Sequence, residues 1–430
     1  MGSAVNLSEI GTKITGDDVQ FQRECVADLL NRQNINFPGA QPVSFARHHL
    51  QELQSVDYFI CEKTDGVRCL LYLTQYVAEG GVPVEMQFLI DRKNDYYFIP
   101  GEALHVPRTK EDLGSFHTGT LLDGELVNQK IETRTGTITR KAYLIFDLLA
   151  LDGENLMTRP FDKRYGRARE LVYNPYRDFA KKYPTDIAAQ PFNLQIKDMD
   201  APYGTEMMFK DKIPNLPHGN DGLIFTCVTT PYVSGTDQHI LKWKPPHENT
   251  IDFRLQIEDW PMIEDEDGSY EDWDAKPEIS LQVNHGSGRY EYYATLNITD
   301  ATWEKMKAMH QQFDGRVIEC YRDPVSAQWR PKIEEDGTPR FRDDKTDGNH
   351  ISVVKSVEES IRDAVSKKDL IDAAGNIRVA FKQRAAAAKQ AKEEEQRRAA
   401  QARQQHQRPP QVKREAEVKR EEDDGPKYED

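Results

Sequence analysis

The sequence predicts an α+β fold in two domains followed by a charged tail. Three observations predict it. Short segments rich in aromatic and branched residues recur between turn residues, as strands do. The pair Pro245 and Pro246 in "HILKWKPPHENTIDF" interrupts any strand ladder, and the texture then changes to short strands such as "EISLQV", "RYEYYATLNI" and "RVIECYR". From about Ala385 the large apolar residues give way to Ala, Gln, Glu, Lys and Arg, a composition that buries no core and predicts a lone helix or disorder. The expected units are residues 1–245, residues 246–372 and the tail 373–430.

The elements that bear on function come in order. "DYFI" and "VRCLLYL" read as strands on either side of Asp65-Gly66, a dipeptide that favours a two-residue hairpin with φ > 0 at both positions. "TLLDGELV" sets Asp123 and Glu125 two apart, so an extended chain projects both from one face. "AYLIFDLLALDG" is a nearly continuous apolar strand with Phe146 and Asp147 inside it, and "HGNDGLIFTCV" places Asp221 just before another. "HILKWKP" carries Lys242 and Lys244 at period two with Trp243 facing the other way. In "SVEESIRDAVSKKDLIDA", Ser356 and Glu359 read as a capping box ahead of Val357, Ile361 and Val365 at helical spacing.

Composition narrows the function. At 430 residues and 38% apolar the chain is long enough for two globular cores. It has no apolar stretch long enough to cross a bilayer, and its start lacks the regions of a secretory signal. Five cysteines without zinc-site spacing suit a reducing compartment, and none lies in a phosphatase-loop context. The net charge of −15 opposes nucleic acid binding, yet it is uneven: the segment "DWPMIEDEDGSYEDWDAKPE", 259–278, holds nine acidic residues and one basic. It reads as a solvated acidic loop, which leaves the remaining surface free to carry a basic groove.

Each charged segment alone reads as an edge strand with charge on its wet side. Together they have a chemistry. A lysine is protonated at neutral pH unless cations and burial lower its pKa, and Lys242 and Lys244 would provide that field for Lys63. The same cations with Arg68 would hold a triphosphate, while Glu125 and Asp221 would hold a hard metal ion. Attack of Lys63 on an α-phosphate then splits nucleotidyl transfer into two displacements through a covalent phosphoramide.

"KTDGVR" (63–68), "LDGELV", "YLIFDLLALDG", "NDGLIFT", "LKWKPP" and "RFRDDKTDGNH" (340–350) resemble, in order, the motifs of the covalent nucleotidyltransferases, which include DNA ligases, RNA ligases and mRNA capping enzymes. The spacing is most similar to that of the fungal mRNA guanylyltransferases, with "PKIEEDGTP" interrupting the last motif after Trp329 and Arg330. The resemblance implies a nucleotidyltransferase domain of ATP-grasp-like antiparallel sheets, then an OB-fold β-barrel. It implies Lys63 as the acceptor of GMP from GTP, Thr64 and Lys197 against guanine, Arg92 and Glu125 on the ribose, and Phe146 stacked on the base. Asp221 and Glu125 would serve Mg2+ or Mn2+, Lys242 and Lys244 the α-phosphate, and Arg342, Asp344 and Lys345 the β- and γ-phosphates. Implied partners are RNA with a 5′-diphosphate, a separate RNA triphosphatase and the phosphorylated tail of RNA polymerase II, in the nucleus. Two readings compete: an ATP-dependent polynucleotide ligase, disfavoured because no sizeable domain precedes Lys63, and a non-catalytic OB-containing binding module, disfavoured because every charged motif residue is present.

Overall fold

The computed structural model describes residues 5–406 apart from 266, 267 and 335. By contacts it divides into Met1–Arg378 and Val379–Asp430. The described strands of the catalytic part are β1 (Thr12–Lys13), β2 (Ala40–Ser44), β3 (Tyr58–Thr64), β4 (Val67–Val77), β5 (Pro83–Ile90), β6 (Tyr96–Pro100), β7 (Thr120–Thr133), β8 (Gly136–Leu151), β9 (Glu154–Asn155), β10 (Asn193–Ile196), β11 (Asn220–Cys227) and β12 (Gly235–Trp243). They form two sheets. The larger runs β1-β6-β5-β4-β7-β8-β10 with β9 on β8, and the smaller runs β2-β12-β11-β3. Both are mixed rather than antiparallel throughout, because β10 pairs with β8 and β2 with β12 in parallel.

Asp65 and Gly66 do not make the expected hairpin. β3 pairs with β11 in the small sheet while β4 pairs with β5 and β7 in the large one, and neither residue has positive φ. The dipeptide carries the chain from one sheet to the other, which leaves Lys63 at the junction. The apolar run after it is explained by burial on both faces. Cys69, Leu71 and Leu73 pack toward Val172, Tyr176 and Phe179 of the segment after β9, while Leu70 and Tyr72 pack toward Val26 and Leu30.

After Pro245 the chain builds β13 (Thr250–Asp259), β14 (Met262–Asp265), β15 (Gly268–Glu271), β16 (Glu278–Asn284), β17 (Tyr290–Thr295), β18 (Val317–Arg322) and β19 (Trp329–Pro331). Five form an antiparallel sheet, β17-β16-β13-β18-β19, consistent with an OB-fold, although strand pairing closes no barrel among the described residues. Its core gathers Ile251, Phe253, Leu281, Ile318 and Trp329 with Trp303 and Val354. The acidic segment is the exposed hairpin β14–β15 where described, not a loop. "PKIEEDGTP" folds back through a bridge between Ile333 and Pro339, and Glu319 N donates to Arg340 O, so the last motif lies beside β18.

The expected capping box is displaced. His350 caps the helix Ile351–Arg362, whose interior contains Ser356. The reciprocal pair is Ser366 and Asp369: Ser366 N donates to Asp369 Oδ2 at 2.8 Å and Asp369 N to Ser366 Oγ at 3.1 Å, ahead of the helix Lys367–His406. The helix already begins six residues before Ser356, where the His350 side chain accepts from Ser352 N and its carbonyl from Val353 N and Val354 N. The start of the second helix returns to the first domain: Val365, Leu370 and Ile377 are buried with Phe225, Leu241 and Trp243, and Trp243 Nε1 donates to Val365 O at 2.7 Å. Residues 373–378 thus belong to a core, and the part of the tail beyond 406 lies outside the described residues.

Leu370→Ala should lower the unfolding free energy by about 2–5 kcal/mol, the cost of emptying a packed core site, as read by urea denaturation. Val353→Ala, at an exposed position of the preceding helix, should change it by less than about 0.5 kcal/mol.

Candidate active site

A cavity of ≈ 470 Å³ opens at the junction of the two sheets, lined among others by Lys63, Thr64, Arg68, Glu125, Phe146 and Lys197. Lys63 enters from β3. Its Nζ donates to Asp221 Oδ1 at 2.6 Å, and Lys244 Nζ lies 2.8 Å from Asp221 Oδ2, so one carboxylate holds two ammonium groups. Burial pushes the Asp221 carboxyl up, but Lys63 and Lys244 outweigh it and hold the group below the usual carboxylate range. Lys242 is lowered by burial first and then by Lys244 and Lys63. The Asp221 carboxylate joins Lys244 to Lys63.

Asp221 reaches this position through a β-bulge. Asn220 faces Thr64 and Gly222 faces Lys63, leaving Asp221 as the extra residue. Gly222 has φ +153°, and a Cβ there would stand 2.0 Å from Trp243 O, so no other residue fits. Trp243 itself points away into the core beneath, as the period of two required.

A second bulge aims Phe146. Asp123 faces Asp147 and Gly124 faces Ile145, which leaves Phe146 unpaired and turned into the cavity, with Arg68 and Lys197 each within 6 Å of its ring centroid, at 5.5 and 5.8 Å. Lys197 is buried, its Nζ donating to Glu62 O at 3.1 Å; burial lowers its pKa, but Cys61, Glu62 and Glu125 raise it further. Thr64 Oγ1 is buried with no hydrogen-bond partner, a hydroxyl available to a ligand. Arg92 lines the same cavity and donates to Gln41 at 3.0 Å.

Arg68 does not stand free for phosphate, contrary to expectation. Its Nε and Nη2 fork onto Asp123 at 3.0 and 2.6 Å, and Nη1 donates to Ala40 O. Tyr232 donates to the same Asp123 at 2.6 Å and accepts from Ala40 N at 2.9 Å. Beside it, Arg164 forks onto Asp147 at 2.8 Å through both Nε and Nη2, with Tyr232 stacked against its guanidinium. Tyr232 and Arg164 went unnoticed in the sequence, since a loop tyrosine and a helical arginine carry no local signal.

Glu125 accepts from Gly66 N at 3.2 Å, and burial raises its pKa despite Lys197 and Lys63. No group of three or more His, Cys, Asp or Glu able to hold a metal occurs among the described residues. Of the two carboxylates expected to serve a metal, Glu125 lines the cavity, while Asp221 lies outside its lining with each oxygen held by a lysine ammonium. Arg342, Asp344 and Lys345 do not line the cavity. Arg342 forks onto Asp344 at 2.9 and 2.8 Å and reaches Asp252 at 3.2 Å, where Lys345 also pairs.

Residues 6–246 match the family model for the mRNA capping enzyme catalytic domain, and residues 248–371 that for the mRNA capping enzyme C-terminal domain. The chain is 45% identical to the mRNA-capping enzyme subunit alpha of Neurospora crassa over 89% of its length and 96% of that protein. It is 42% identical to that of Schizosaccharomyces pombe, covering 86% and 87%, and 36% identical to that of Saccharomyces cerevisiae, covering 86% of each. A solved mycobacterial DNA ligase D complexed with ATP and MES matches 71% of this chain and 95% of its own at 17% identity and a TM-score of 0.33, a superposition that speaks to neither substrate nor chemistry.

Asp123→Asn should cost about 3–5 kcal/mol, because it leaves the Arg68 cation without its buried partner; the double variant Asp123→Leu with Arg68→Met should cost less than the sum of its singles in urea unfolding. A second measurement concerns acid. Because the folded state depresses the Asp221 pKa, its contribution is complete above the ordinary carboxylate range, near pH 4, and disappears as pH falls through the lower folded value. The stability gap between wild type and Asp221→Asn should narrow only on acidification below about pH 4.

Proposed function

The chain belongs to the mRNA capping enzyme family, and from that premise we propose how its residues divide the work of guanylyl transfer. It is a nucleotidyltransferase. The Nζ of Lys63 attacks the α-phosphorus of GTP, the bond to the β-phosphate oxygen breaks, and pyrophosphate leaves a phosphoramide-linked GMP. The β-phosphate oxygen of a diphosphate-ended RNA then attacks the same phosphorus, Lys63 departs, and GpppN results. The observation that carries this reading is a single one: Lys63 lines the cavity with its Nζ 2.6 Å from a carboxylate that also holds Lys244. Phosphate oxygens of GTP would take over the ammonium groups that Asp221 holds.

The other roles follow the cavity. From the cavity lining Phe146 stacks on guanine, Thr64 Oγ1 and Lys197 meet its polar edge, and Arg92 and Glu125 meet the ribose; beside Lys63, Lys242 and Lys244 meet the α-phosphate. When bound, a divalent cation such as Mg2+ or Mn2+ would screen phosphate charge, held by Glu125 and Asp221. Arg342, Asp344 and Lys345 meet the outer phosphates after the second domain swings over the nucleotide, which excludes water during the first displacement. The relatives' designation as an alpha subunit supports a partner subunit, and a separate RNA triphosphatase fits the need for diphosphate ends. Association with the phosphorylated polymerase tail, through Lys and Arg, and action in the nucleus complete the proposal.

Incubation with α-labelled GTP or ATP tests it. GMP should remain on the denatured wild-type protein and AMP should not, while Lys63→Ala and Lys63→Arg should show no adduct, arginine because its guanidinium stays protonated. An AMP adduct would instead support the ligase reading. In single-turnover assays Arg342→Ala and Lys345→Ala should slow adduct formation by about 10²–10³ and transfer to RNA much less. Adduct formation at the wild-type rate in both would remove the closing domain from the mechanism.

A further inference from the structure

The bulge that delivers Asp221 to Lys63 has a fastening that none of the roles above uses. Asn220 lies beside it, and its carboxamide makes three hydrogen bonds. Nδ2 donates to Lys63 O at 2.9 Å and to Gly222 O at 2.8 Å, and Oδ1 accepts from Gly222 N at 3.3 Å. Both hydrogens of one NH2 group thus serve carbonyls on two neighbouring strands, one of them the carbonyl of the proposed nucleophile itself.

The need for such a fastening comes from the bulge. An extra residue breaks the ladder between β11 and β3 at the point where Lys63 faces Gly222, and it leaves backbone groups without the partners that a regular ladder supplies. Gly222 cannot tighten the bend with a side chain, because it has none and its φ of +153° excludes one. The Asn220 carboxamide fills the gap. No other side chain of this reach carries two donors and an acceptor: Asp lacks the donors, Ser and Thr offer one hydrogen, and Gln is a methylene longer.

We propose that Asn220 is a positioning residue for nucleotidyl transfer, its carboxamide fixing the separation between the Lys63 backbone and the bulge so that Asp221 and the amine of Lys63 keep the geometry for attack. The proposal rests on Lys63 as the nucleophile. Asn220 acts through the backbones of Lys63 and Gly222, and its carboxamide is committed to their three backbone groups rather than offered to a ligand, so its loss slows the covalent step and leaves GTP binding little changed. A displacement of about 1 Å in a reacting group can cost on the order of 10²-fold in rate.

Single-turnover guanylylation at saturating GTP tests this with Asn220→Ala and with Asn220→Leu, which keeps the volume without polar atoms. Both variants should form the Lys63–GMP adduct with a first-order rate constant lowered by roughly 10- to 100-fold, with the GTP concentration at half-maximal rate changed by less than about twofold. Pyrophosphorolysis of the purified adduct should slow by the same factor, since both directions cross one transition state. Asn220→Ser, retaining one donor, should fall between. A merely structural role would lower the amplitude of adduct, through a smaller folded fraction, and leave the rate constant of the active molecules at the wild-type value; that result in either variant overturns the proposal. Wild-type protein in the same assay separates the premises: if it labels a residue other than Lys63, the nucleophile assignment fails first and Asn220 loses its role with it.

Discussion

The site depends on two aspartates that ought to repel each other. Asp123 and Asp147 face one another across β7 and β8, and both are buried. Adjacent ionised carboxylates out of water are tolerated only if each has its own cation with good geometry. Arg68 supplies one from β4 and Arg164 the other from the helix Phe161–Arg167, each by a two-pronged hydrogen bond. Tyr232 lies between, bonded to one aspartate and stacked against the opposite arginine. This assembly also binds both backbone polar groups of Ala40 on β2, Arg68 through the carbonyl and Tyr232 through the amide. A strand of the small sheet is thereby pinned to three strands or helices around the large one, and the angle at which the sheets meet is fixed below the cavity.

With that angle set, the remaining chemistry is local. The chain crosses between sheets at Asp65 and Gly66, so Lys63 lies near the end of one strand and Arg68 near the start of the next, both lining the cavity, the second locked onto Asp123. Each of the two bulges then turns one residue out of its ladder, Asp221 toward the amine and Phe146 toward the opposite end of the cavity. Strands alone would have pointed either residue by alternation, with no freedom to choose; the extra residue in each pair supplies that freedom.

Much of this was legible in the chain. Lys63, Glu125, Lys242 and Lys244 were found because each interrupts an apolar run, Phe146 was implied only by the motif resemblance, and the period of two placed Trp243 opposite the lysines. The failures have a common cause. Asp-Gly reads locally as a hairpin, and nothing within a few residues reveals that its two strands belong to different sheets. Ser356 makes a good cap by spacing, but His350 is already in place. Tyr232, Arg164 and Asn220 work through partners in other elements, 17 to 192 residues away, or through backbone groups, and neither leaves a pattern in composition or periodicity. Arg68 was read as free because charge is visible in a sequence and its neutralisation by a distant carboxylate is not.

The hydrogen bond from Trp243 to the carbonyl of Val365 brings together the residue at which the chain leaves the catalytic sheets and the one at which it comes back. The intervening domain is therefore attached by two crossings set side by side rather than by a single tether. A body on one flexible cord explores every orientation and reaches the right one rarely. A body on a paired root has, in effect, one angle to vary. The domain closure proposed above would then be confined to rocking about those paired crossings.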